Sequence, residues 1–221
     1  MHAFEGFTQD TFTFFMAIAF NNTASCMEAN RPVFEAHVLQ PLKALSNACA
    51  PALIQVDPHM DLRPVMGGTI SRIRRDTRFS RNKAPYRDHM WLDFRRKHED
   101  MHLAFSFDIS PRGAAYNMGV HAATPQRLQQ MRKYVLLHGE RFKALHQALV
   151  QAQYDFVGDD YKRPMAQTDD PVLRAFAQKR WFAYHRQVPV GDTMEAAFAD
   201  TLRAAFLQLA PMYTFLRAQS N

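Results

Sequence analysis

Glycine is scarce in this chain, 8 of 221 residues, and it never gathers into the Gly-rich loop whose backbone amides cradle phosphate in nucleotide-binding folds. No Walker-type loop, dinucleotide fingerprint or Gly-x-Ser-x-Gly elbow is present either. Cysteine is rarer still. Cys26 and Cys49 lack Cys-x-x-Cys spacing, and two cysteines in a chain of this size cannot define a disulfide scaffold. Long apolar runs are also missing: TFTFFMAIAF, residues 11–20, is too short to span a bilayer and follows Glu5 and Asp10 instead of basic residues. These absences disfavour secretion and membrane spanning, and the expectation is a cytoplasmic protein with no membrane partner. Ser and Gly tracts are absent too, so no long stretch reads as disordered.

Apolar residues make up 47% of the chain, with 18 Phe, enough to build a core without staples. One domain over residues 1–221 is the default reading. Residues 8–20 predict an amphipathic helix with Thr8 at its N-cap and Asn21-Asn22 punctuating its end. A second long helix is expected over 32–50, kinked at Pro41 because a mid-helix proline removes a backbone donor. Cys49 continues its apolar stripe of Phe34, Val38, Leu42 and Leu45 and reads as a small buried hydrophobe.

After Gly67-Gly68 the apolar period changes from helical to alternating. Four strands are expected at 69–75, 88–96, 101–110 and 114–120, in direct succession and therefore antiparallel. Helices follow from Thr124-Pro125 to His138-Gly139 and over 141–151. Shorter elements are read at 154–157 (strand), 171–178 (helix) and 181–186 (strand). A last helix carries Met194, Phe198, Leu202, Phe206 and Leu209 on one stripe, and Pro211 bends or ends it. The fold class is α+β, an antiparallel meander sheet of about four to six strands with helices mainly on one face.

Alternation sorts the strands by face. Met90, Leu92 and Phe94, then Leu103, Phe105 and Phe107, then Tyr116, Met118 and Val120 form the core side. The other side carries His89, Trp91, Asp93, His102, Ala104, Ser106, Asp108, Ala115, Asn117 and Gly119, either an ordinary solvated face or a groove with Asp93, Asp108 and Asn117 as ligand contacts. Placing Phe107 opposite Met118, and so Asp108 opposite Asn117, requires a four-residue hairpin loop or a bulge at 111–114.

Charge is concentrated in one place. The net charge is +6, yet residues 72–97 hold ten Lys or Arg against Asp76, Asp88 and Asp93, a local +7 that leaves the rest slightly negative. Within it, Arg72, Arg75, Arg78, Lys83, Tyr86 and Arg87 are the candidate contacts for an anion, the Arg forks suiting phosphate oxygens and the aromatics offering stacking surfaces. The plainer reading of the same residues is an ion-pair network with the neighbouring aspartates. If the protein is an enzyme acting on a phosphorylated or other anionic substrate, Asp76 and His89 are the expected acid and base. His98-Glu99-Asp100-Met101-His102 matches the zincin pattern, but that chemistry needs a helix and these residues fall at a hairpin tip. The remaining histidines, His2 to His185, have no consistent ligand spacing, so neither a metal nor a cofactor is expected.

The string RIRRDTRFSRNKAPYRDH, residues 72–89, resembles the mainly bacterial family known as domain of unknown function 2461. Arg75, Asp76, Thr77, Arg78, Phe79, Ser80, Lys83, Pro85, Tyr86 and Arg87 occupy the positions that carry the likeness, and Asn21-Asn22, Pro41 and Pro211 with Phe215-Leu216 extend it over nearly the whole chain. Cys26-Met27 stands where that family usually has a Trp-Phe pair. The resemblance implies one α+β domain and assigns no activity. The expectation from the residues themselves is a binding protein for a phosphate-bearing small molecule or nucleic acid, with an enzyme and a protein-interaction module as alternatives.

Overall fold

The computed structural model describes residues 3–163, 165 and 168–218; His2 lies outside them. Its order is α1 (Gln9–Phe20), α2 (Ala24–Ala29), α3 (Arg31–Val33), a π-helical turn (Phe34–Leu39), α4 (Gln40–Val56), β1 (Met90–Arg95), β2 (Met101–Ser110), β3 (Gly113–Ala123), α5 (Pro125–Leu137), α6 (Gly139–Gln151), β4 (Asp155–Val157), α7 (Pro171–Gln178), β5 (Phe182–Val188), α8 (Val190–Thr193) and α9 (Phe198–Arg217). The α+β class holds. The five strands run antiparallel in the order β1-β2-β3-β5-β4, so the meander of the first three is extended by β5, with the short β4 outside it. No helix among the described residues is long and apolar enough to cross a membrane.

The helices press on the apolar face of the sheet. Phe206 of α9 meets Phe94 and Phe105, Tyr213 stacks on Phe105 at 4.9 Å, and Phe198 and Phe7 close over Phe107. Cys49 is buried in the same core, where loss of solvation pushes its thiol up to about 12.

At the edge of this core, Asp57, 2% exposed in its side chain, accepts two hydrogen bonds from the Arg96 guanidinium (2.8 and 2.9 Å), one from the Tyr213 hydroxyl (2.5 Å) and one from the His59 amide. Arg217 adds a bond to Glu99. This network ties the end of α4, the β1–β2 connection and α9 to each other.

Three details differ from the sequence reading. Residues 69–75 run beside β1 without becoming a strand: they touch the neighbouring chain only at the isolated bridges Ile70–Leu92 and Arg74–Tyr86. Ser71 accepts the Trp91 N–H through its side-chain hydroxyl (3.0 Å) instead of its carbonyl, and Pro85, which accepts from the Arg75 N–H, has no N–H to return, so the ladder cannot propagate. The β2–β3 hairpin turns on Pro111-Arg112 alone, with Ser110 paired to Gly113, whose φ of 136° glycine tolerates. That tighter turn shifts the register by two: Phe107 faces Tyr116, Asp108 faces Ala115, and Asn117 faces Ser106. The β1–β2 connection is not helical, and His98 there takes a left-handed φ of 59°, so His98 and His102 share no helical face.

The third difference lies at Pro41. A proline leaves the carbonyl four residues earlier, that of His37, without its helical donor. The chain answers with the π-helical turn immediately before α4, and the Thr11 hydroxyl of α1 donates to the His37 carbonyl at 2.5 Å. Thr11 is fully buried. Replacing it by Val keeps the shape and strands that carbonyl, so Thr11→Val should lower unfolding stability in urea by ~1–3 kcal/mol while Thr11→Ser retains most of it. An unchanged midpoint for Thr11→Val would remove the hydroxyl from this role.

Candidate anion site at the arginine segment

The segment between the Gly67 turn and β1 is held in place mostly by single bonds. Arg75 N–H donates to the Pro85 carbonyl and Arg87 N–H to the Ile73 carbonyl, both at 2.8 Å. Asn22, just past α1, clamps the far side: its amide nitrogen donates to the Tyr86 carbonyl and its amide oxygen accepts from the Tyr86 N–H, both at 2.9 Å. One side chain thus imitates the edge of a strand. The tip beyond is built from local turns, with Asp76 accepting from the Arg78 amide and Asn82 from the Ala84 amide.

Two clefts result, and they share a wall. The first, about 470 Å³, is bounded by Gly67, Ser71, Arg72, Asp76, Trp91 and Asp93; the second, about 370 Å³, by Asn22, Asn82, Tyr86, Asp88 and His89. Arg75 and Arg87 line both. Arg87 lies over the Trp91 ring at 5.0 Å, and its buried Nε has no hydrogen-bond partner among the described residues. Burial, and then the charge of Arg75, depress its pKa below the ordinary guanidinium value. Among the described residues the Arg75 side chain hydrogen-bonds only to the Ser80 hydroxyl, at 3.4 Å. Neither arginine, nor Arg72, forms an ion pair among the described residues.

The other expected contacts lie elsewhere. Arg78 grips Asp76 through the Nε and Nη2 of one guanidinium edge (3.0 and 2.6 Å), which holds the Asp76 carboxyl below the usual range and pairs the two groups with each other. Lys83 donates to the Thr77 carbonyl and borders neither cleft. Asp76 and His89 border different clefts. The partner of His89 is Asp88, whose carboxylate accepts from Nδ1 at 2.8 Å and is kept ionised below its ordinary value by that contact. Asp88 was legible only as one more aspartate in a charged run, and Asn22, 64 residues from Tyr86, was legible as a helix stop and not as a clamp.

The non-core face of the sheet is a second polar region. Asp93, Ser106, Asn117, His185 and Asp155 stand in register across all five strands. The Ser106 hydroxyl donates to Asn117 at 2.8 Å and the Asn117 amide to Asp108 at 3.3 Å. Ser106, Asn117, Ala104 and Ala115 are buried at its centre, while Asp93, His102, Asp108 and His185 around them are half-exposed and Asp155 at the edge is exposed. Burial works against ionisation of Asp93, but bonds from His102 (2.8 Å) and Arg95 (2.9 Å) outweigh it and hold the carboxyl below the usual range. His121 packs edge-on against His102, and burial drives its pKa down to about 4. Asp108 goes the other way: burial, with Asp93 adding to it, pushes its carboxyl up to about 6.

That last shift has a measurable sign. Between about pH 4 and pH 6 the folded protein retains a proton on Asp108 that the unfolded chain has released, so this group costs stability as pH rises through the window. Asp108→Asn should therefore stabilise the protein at pH 7.5, by on the order of 2 kcal/mol, and make little difference below pH 4. Urea unfolding of both proteins at the two pH values reads this directly, and equal stabilities at pH 7.5 would contradict it.

No curated protein matches the chain. The model of a family described as conserved hypothetical protein (DUF2461) does, over residues 10–215, a span that takes in α1, the arginine segment, the whole sheet and nearly all of α9. The chain belongs to that family.

Proposed function

We propose that this is a cytoplasmic protein that binds a phosphate-bearing small molecule between Arg75 and Arg87. The observation that carries the reading is Arg87: a half-buried guanidinium with an unpartnered buried Nε, set beside a second cation, and with no ion pair to a carboxylate among the described residues. Two like charges held together in a partly desolvated wall are costly unless an anion joins them, and the planar fork of Arg suits the oxygens of phosphate. Concave clefts on both sides of the pair leave room for the remainder of such a ligand. The two free thiols, neither in a disulfide, agree with a reducing compartment.

A nucleic-acid reading has one observation in its favour, the 96% exposed Phe79 with the Arg78 guanidinium 5.9 Å from its ring. Against it, Trp91 is already occupied by Arg87 and His89, which leaves little aromatic surface for stacked bases. The two readings separate in one calorimetric experiment with inorganic phosphate and a single-stranded oligonucleotide as titrants. Phosphate should bind, with affinity falling roughly 10- to 100-fold in Arg87→Gln, as loss of charge-assisted bonds predicts, and staying level in Arg78→Gln. Oligonucleotide binding that depends on Arg78 and Phe79, with no response to phosphate, would replace this function with the other.

A further inference from the structure

The second cleft holds more than a phosphate site requires. Beside Arg75 and Arg87 its wall carries Asp88 and His89, adjacent in sequence and bonded through Nδ1 at 2.8 Å. The second Asp88 oxygen lies 3.6 Å from Arg112, so its negative charge is answered on both sides and does not face an incoming anion alone. The His89 ring stacks on Trp91, centroids 5.7 Å apart and planes 24° from parallel, while the Arg87 guanidinium lies over the same indole at 5.0 Å. One indole therefore fixes the imidazole and the guanidinium relative to each other. Nδ1 is committed to Asp88, and Nε2 has no partner among the described residues.

We infer that this cleft is a catalytic site for hydrolysis of phosphate monoesters, in which Arg75 and Arg87 hold the phosphoryl oxygens and His89, oriented by Asp88, is the general acid. The inference rests on the phosphate reading above. In the step, a water oxygen forms a new bond to phosphorus as the bond between phosphorus and the ester oxygen breaks. The Nε2 proton of the imidazolium passes to the departing ester oxygen, giving the free alcohol, and the proton released by the attacking water restores the imidazolium. No oxidant or further reactant is needed. The guanidinium pair stabilises the charge gathering on the non-bridging oxygens in the transition state. Asp88 is a positioning residue: it fixes which imidazole nitrogen faces the cleft. Asp76, the acid or base expected from sequence, takes no part, since it borders the other cleft and is held by Arg78.

The test uses the full chain and a panel of phosphomonoesters: phenyl phosphate, 4-nitrophenyl phosphate, glycerol 2-phosphate, glucose 6-phosphate and adenosine monophosphate, with release of inorganic phosphate as the readout. Wild type should turn over at least one ester with an alkyl or phenyl leaving group. His89→Asn should lower kcat by roughly 10²- to 10⁴-fold on that ester with little change in KM, and far less on 4-nitrophenyl phosphate, whose leaving group needs no proton. Asp88→Asn should lower kcat in the same pattern but to a smaller extent, and a purely structural role for Asp88 would affect both esters equally. Arg87→Gln should raise KM and weaken calorimetric binding of inorganic phosphate by the same roughly 10- to 100-fold, whereas His89→Asn should keep that binding, which also certifies its fold. Phosphate bound through Arg87 with no ester turned over would overturn catalysis and leave the binding function standing; no phosphate binding by wild type would remove both.

Discussion

A single buried carboxylate, Asp57, sets the frame on which the rest of the structure is hung. It sits where α4 ends, and its bonds reach Arg96 in the β1–β2 connection and Tyr213 in α9, 156 residues away. A carboxylate this enclosed is tolerated only because its lone pairs are filled, and loss of any one donor leaves charge in a dry place. The consequence is positional. With the β1–β2 hairpin fixed against α4 and α9, the face of β1 that carries Trp91 and Asp93 is presented to the arginine segment, and the first cleft takes these two residues as part of its wall. Asp61, a turn further on, repeats the device by accepting from Arg63 and Lys97 while its own amide donates to the Arg95 carbonyl.

Seven of the ten cations of residues 72–97 fall into two populations once their partners are located. Arg78, Arg95, Arg96 and Lys97 each have a carboxylate, in Asp76, Asp93, Asp57 and Asp61, and serve to hold turns and the hairpin. Arg72, Arg75 and Arg87 have none among the described residues and gather around the clefts. The plain and the functional interpretations of a basic stretch are therefore both present, divided by residue. In sequence the two sorts alternate within a few positions, which is why charge counting saw one patch.

What was legible follows the range of the forces involved. The helices and the three long strands came through because apolar period is a local property, and Phe94, Phe105 and Phe107 had to share a face whatever the turn did. Register was not legible, because Pro111 and Arg112 close the β2–β3 hairpin in two residues where matching apolar neighbours asked for four, and Asp108 lost Asn117 as its direct opposite while keeping it as a diagonal hydrogen-bond partner. The strand expected at 69–75 failed on two atoms, the Ser71 hydroxyl and the missing Pro85 hydrogen. The candidate site was visible as composition and invisible as geometry. Arg87 stood in the expected group, yet nothing local distinguishes it from Arg78, and only burial on Trp91 does so.

The Asn22 clamp has a kinetic consequence. Because both of its bonds to Tyr86 belong to one terminal amide, they form and break together, and a rotation about a single side chain removes the clamp, leaving the loop that carries Arg87 on its backbone bonds to Ile73 and Arg75. Two such bonds contribute ~1–3 kcal/mol, small beside the free energy of global unfolding. The wall between the clefts is thus tied to the end of α1 by one side chain, and since Asn22 itself lines the second cleft, an occupant of that cleft and the tie share the same amide.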